Sequence, residues 1–199
     1  MLARPSSIGD SPLGKGRVRL SAVVEYERKD LSPETYWFDF PGDLADHIST
    51  GGNPWLASLL PLAMTLNEPL TVEGSVDPLF FEMAHELRWV WHLWNPRLAV
   101  VPIHSSGLCA SAETGRSSNR VGAFFSGGVD SFFTALRYQK PTPPHPRTTD
   151  LITVWGFDIP IAKPDVFERV GTRLRDAAEQ LGMNHIVVST NLRDTGLVR

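Results

Sequence analysis

The chain has 199 residues, 42% hydrophobic and 21% charged, with a formal net charge of −3. These proportions fit a globular protein of one large or two small domains, and a weakly acidic chain offers no general nucleic-acid or anionic-membrane surface. The single cysteine, Cys109, excludes an internal disulfide framework; with no apolar leader and no membrane-length run, the expected compartment is the cytoplasm.

Residues 1–16 are rich in Ser, Gly and Pro and read as a loose N-terminal arm. From Arg17 the pattern alternates strictly, with Val18, Leu20, Ala22, Val24 and Tyr26 on one face, which predicts a half-buried strand. Leu31-Ser32-Pro33-Glu34 turns the chain, and Tyr36 to Phe40 is the expected antiparallel partner. A short helix from Asp43 and a second from Asn53-Pro54 follow, with Pro61 expected to end or kink the latter.

Leu70 to Glu73 reads as a brief strand. Asp77-Pro78 opens a long helix to about Trp94, whose apolar stripe is predicted from Phe80, Met83, Ala84, Leu87, Trp91 and Trp94. His85-Glu86 begins like a two-histidine zinc motif, but Trp89 stands where the second histidine is required. Trp89, Trp91 and Trp94 read as packing residues rather than a stacking platform for bases. Leu98 to Ile103 is strand-like. The expected organisation is thus an α+β domain over 17–104, a polar linker over 105–119, and a second domain over 120–199.

The second domain begins with an apolar run, Val121 to Phe125, expected to be a strand buried on both faces. It stops at Ser126-Gly127-Gly128-Val129-Asp130-Ser131, where two glycines allow a sharp turn and a helix starts directly afterwards. Strand, glycine turn and helix N-terminus together form an anion cradle. No Gly-Lys-Ser/Thr follows, so this is not the common P-loop, and the third glycine of the dinucleotide fingerprint is missing. Strands at 151–155 and 186–190, with a helix from Pro164 to Leu181 between them, extend the pattern to β-α-β-α-β, a parallel open sheet.

Ser126-Gly127-Gly128-Val129-Asp130-Ser131 resembles the SGGxDS signature of the PP-loop ATP pyrophosphatases. Over about residues 120–195 the order of elements is also similar to that family, nearest its 7-cyano-7-deazaguanine synthase-like branch, in which Leu-Gly precedes the third strand as Leu181-Gly182 does here. The resemblance implies an α/β fold with a Rossmann-like (adenine nucleotide alpha hydrolase-like) sheet, incomplete at the C-terminus and preceded by the α+β domain. It implies an ATP-dependent ligase or synthase that adenylates a substrate oxygen and releases pyrophosphate, with ATP and Mg²⁺ as cofactors and a small-molecule acceptor as partner.

On that resemblance, Ser126, Gly127, Gly128, Val129, Asp130 and Ser131 bind the phosphates, Asp130 and Ser131 are the catalytic residues, and Asp130 holds the metal. Trp155, Gly156, Phe157 and Thr190 lie near the adenine, at the carboxyl ends of the strands. The alternatives are a nucleotide-binding or regulatory module without its own catalysis, and an inactive truncated remnant. Leu2 occupies the position of the glutaminase cysteine of asparagine-synthetase-type enzymes, so no such half is expected. Because the family's sheet continues beyond its third strand, the expectation is a C-terminally truncated member that self-associates through an uncovered sheet edge.

Overall fold

The computed structural model describes residues 1–109, 120–141 and 145–196. Its core is one mixed, nine-stranded sheet. The strands are β1 (Leu2–Pro5), β2 (Gly9–Asp10), β3 (Arg17–Glu25), β4 (Glu34–Pro41), β5 (Leu70–Val76), β6 (Ile103–Leu108), β7 (Gly122–Phe124), β8 (Asp150–Trp155) and β9 (Asn184–Thr190). The order across the sheet is β6-β5-β1-β3-β4-β9-β8-β7, with β2 paired to β3.

The helices are α1 (Asn53–Leu66), α2 (Pro78–Trp94), α3 (Val129–Arg137) and α4 (Pro164–Leu181). None among the described residues is long and apolar enough to cross a membrane. The alternating residues from Arg17 do form the β3–β4 hairpin, with Leu20, Ala22 and Val24 buried. In the C-terminal part β7, β8 and β9 are parallel and alternate with α3 and α4, as the β-α-β-α-β pattern requires.

Four expectations are corrected. The residues read as a loose arm supply β1, which lies between β3 and β5 with Met1 and Ala3 buried. Met1 is held by its ammonium group, which donates to the Pro69 carbonyl at 2.7 Å and faces Glu68 at 3.2 Å. Part of the expected linker is strand: residues 105–108 belong to β6, whereas 98–102, expected as strand, precede it as coil, and linker positions 110–119 lie outside the described residues. The β7 strand is not buried on both faces, because Phe125 is 1% exposed but Phe124 is 75% exposed. Among the described residues β7 pairs only with β8.

The fourth correction concerns α2. It turns Phe80, Phe81, Ala84, Arg88 and Trp91 toward the core and leaves Met83, Leu87, Trp89 and Trp94 outside. Arg88 is the cause: its guanidinium is buried, bonded to the Val101 carbonyl and to Nδ1 of His85, so a charged residue holds a position the periodicity reserves for an apolar one.

Two hydrophobic clusters cover the sheet. The larger joins α1 to β1, β3, β4 and β5 around Trp55, Leu59, Tyr36 and Val72. The smaller packs α3 and α4 on one face of β7 and β8 around Phe125, Leu151, Leu174 and Ala178. The seam between them is the short β4–β9 pairing, Phe38↔Thr190 and Asp39↔Ser189. Side chains reinforce it. Arg17 reaches across β4 to the Val187 carbonyl at 3.1 Å, and Asn191 accepts from the Trp37 N–H at 2.9 Å while donating to the Thr35 carbonyl at 2.8 Å.

Candidate functional site

The glycine turn lies at the carboxyl end of β7, where an open parallel sheet presents its loops to a ligand. The Phe125 N–H donates to the Ile152 carbonyl at 2.8 Å, carrying the β7–β8 ladder one residue beyond β7, and the chain then leaves the sheet. Gly127 has φ of +78°, a left-handed conformation that disfavours any side chain, and a Cβ there would stand 2.6 Å from Leu174 Cδ2. Gly128 is the N-cap of α3, in extended backbone.

No side chain caps that helix. Asp130 and Ser131, whose side chains could accept its free N–H groups, do not do so. The first N–H groups of α3 have no helical carbonyl behind them, so they point outward beside the positive end of the helix dipole. The Ser126 hydroxyl accepts from the Gly128 N–H at 3.4 Å. Ser131 is turned inward on its own turn and donates to the Gly128 carbonyl at 2.8 Å. Val129 and Asp130 are exposed, and the Asp130 carboxylate is the only acidic side chain in the loop.

Behind the turn, the Thr153 hydroxyl donates to the Phe125 carbonyl at 2.8 Å and lies 2.9 Å from Nε2 of His185. Burial, with the Arg175 charge adding to it, lowers the affinity of His185 for a proton. The lower end of the same strands is held by Asp150, which takes the Arg120 guanidinium in a two-point contact, accepts from Thr149 at 2.6 Å and accepts from Asn184 at 2.9 Å. The Arg120 contact holds the Asp150 carboxyl at about 2 against an opposing effect of burial. Nothing in local sequence pattern marks Thr153, Asp150 or His185, because their roles arise from pairing across three strands.

A cavity of about 300 Å³ adjoins the loop at the ends of β7 and β8, lined by Ser126, Phe124, Val154, Phe157, Asp158 and Phe167 among others. Of the four residues expected near an adenine, only Phe157 lines it. Trp155 stands behind Phe167, stacked on it at 4.8 Å, and its indole N–H donates to the Pro160 carbonyl. Gly156 and Thr190 are buried, and the Thr190 hydroxyl donates to the Trp37 carbonyl at 2.8 Å. Thr190 holds the β4–β9 seam and Gly156 packs against the end of β9, so neither faces the cavity.

On the sheet face opposite α3 and α4, an apolar groove of about 530 Å³ runs from Phe38 and Phe40 to Ile186 and Val188. It shares Phe124, Ile152, Val154 and Phe157 with the cavity. Comparison of the chain with protein-family models, with curated proteins and with solved structures gave no match.

Proposed function

We propose that the chain is an ATP-binding PP-loop protein of the adenylating ATP pyrophosphatase type, built on a Rossmann-like sheet. The observation that carries this reading is the α3 N-terminus, uncapped by any side chain and preceded by a glycine at φ +78°. Such an end binds a diphosphate through backbone N–H groups and the helix dipole. The N–H groups of Val129, Asp130 and Ser131 would take the β and γ phosphates, and the Ser126 hydroxyl can turn toward them. The adenine would enter the cavity beside Phe157 and Phe124.

In the reaction, a substrate oxygen attacks the α-phosphorus, a new P–O bond forms, and the bond to the β-phosphate oxygen breaks as pyrophosphate leaves. The loop contributes orientation and stabilisation of the charge gathering on that leaving group. Asp130 repels an anion unless a cation intervenes, so it is the residue that would hold Mg²⁺ through one carboxylate, and the ion would supply charge neutralisation. Among the described residues no three His, Cys, Asp or Glu side chains converge, so the other ligands would be phosphate and water. The apolar groove that meets the cavity at Phe124 and Phe157 is the nearest place for a small-molecule acceptor.

One observation favours a second reading, a nucleotide-binding module without catalysis. The Ser131 hydroxyl is already committed to Gly128, which leaves only Asp130 and Ser126 to act on a bound nucleotide. Incubation with ATP and Mg²⁺ separates the two. AMP and pyrophosphate release that disappears in Asp130→Asn supports adenylation; tight ATP binding without turnover supports the module; absence of both defeats the phosphate assignment.

A further inference from the structure

Helix α2 meets the core with one side and turns a second apolar side outward. Leu79 is 62% exposed, Met83 52%, Leu93 77% and Trp94 78%, and Val90 and Leu87 add to the same face. These positions recur at three- and four-residue intervals, so they form one stripe along the helix. A helix with one side in a core ordinarily carries charge on the other, but the only charged residues on this stripe are Glu82 and Glu86. Scattered exposed apolar residues need no explanation; a contiguous row of six marks an interface.

We propose that this face of α2 pairs with the same face of a second copy of the chain, helix against helix and antiparallel. The six side chains expose on the order of 700 Å², close to the roughly 800 Å² per partner of a standard interface. Charge sets the direction. Glu82 lies in the first half of α2, Glu86 at its middle, and Arg97 follows its last turn. None of the three has an ion-pair partner among the described residues. An antiparallel pair parts Glu82 from its copy and carries it toward Arg97 of the other helix, whereas a parallel pair sets Glu82 against Glu82. The arrangement is two-fold symmetric, as an isologous dimer requires, and Trp94 is the type of residue that anchors such contacts.

The pairing is independent of what the glycine loop binds. Sedimentation equilibrium of the full chain at tens of micromolar reads it directly, with a dimer expected. Trp94→Glu replaces an exposed side chain, so the far-ultraviolet spectrum stays unchanged while the dimer weakens at least about a hundredfold. Arg97→Glu weakens it about tenfold, and adding Glu82→Arg restores it. A monomeric wild-type chain overturns the proposal. So does a dimer that survives Trp94→Glu and dissolves on Phe124→Asp, since association would then run through the β7 edge.

Discussion

Gly156 and Thr190 approach so closely that a Cβ on Gly156 would lie 1.9 Å from the Thr190 carbonyl oxygen. Gly156 also has φ of +110°, so both sterics and backbone conformation exclude a side chain. Gly156→Ala is expected to cost about 3 kcal/mol or more, by prising the end of β8 from β9. Urea unfolding checks this, and a loss below about 1 kcal/mol would show that the two strand ends yield easily.

Gly128→Ala tests the phosphate cradle more cleanly than a change at Gly127. A side chain at Gly127 would collide with Leu174 and disturb the fold, whereas a Cβ at Gly128 stands 3.4 Å from Ser126 Oγ, an ordinary contact. With diphosphate on the loop, Gly128→Ala lowers ATP affinity at least about tenfold, or roughly 1.4 kcal/mol, and leaves thermal unfolding unchanged. Calorimetry showing equal affinity would place the phosphates elsewhere.

The loop and the hairpin were legible because their signals are local. Two glycines between an apolar run and a helix, or five alternating residues from Val18, specify a shape without help from distant chain. β1 has no such signal, because four residues ending in Pro5 carry almost no pattern, and their strand exists only because β3 and β5 lie on either side. Thr190 looked like a ligand contact because it ends a strand, the place where such sheets bind ligands. Its actual partner, Trp37, belongs to the other half of the chain and has no mark in the sequence around either residue.

Acid should loosen the C-terminal strands in a defined window. Asp150 has its carboxyl at about 2 against an ordinary 3.8, so its stabilisation is complete above about pH 4 and is lost as pH falls from there toward 2. Loss tied to His185 starts higher, below its ordinary 6.5, because a buried neutral imidazole must become charged. Asp150→Asn is expected to cost about 1–2 kcal/mol at pH 7 and to remove the step between pH 4 and 2. Thermal melts across that range check it; a step that persists in the variant belongs to another carboxylate.

Asn191 holds the seam by both ends of its amide. Asn191→Ala strips the Trp37 N–H and the Thr35 carbonyl of their partners and is expected to cost about 1–2 kcal/mol. Amide exchange at Trp37 should accelerate while exchange in α1 holds steady, because the lost bonds lie on the β9 side of β4 and α1 packs away from it. Equal acceleration in both would mean that the seam and the larger cluster open as one.

The thin seam also dictates an order of events during synthesis. The Thr190 hydroxyl and the Trp37 carbonyl it reaches are 153 positions apart in sequence, while β1, β3, β4, β5, α1 and α2 have all left the ribosome before Gly122. Closing a loop of that length comes late, after the local hairpin and helices have condensed. Until β9 arrives, β4 presents a free row of backbone donors and acceptors beside Phe38 and Phe40. The nascent chain is therefore most open to misassembly with its neighbours on a polysome while residues 109–190 are being made, and a chaperone that shields β4 at that stage would raise the yield of folded protein.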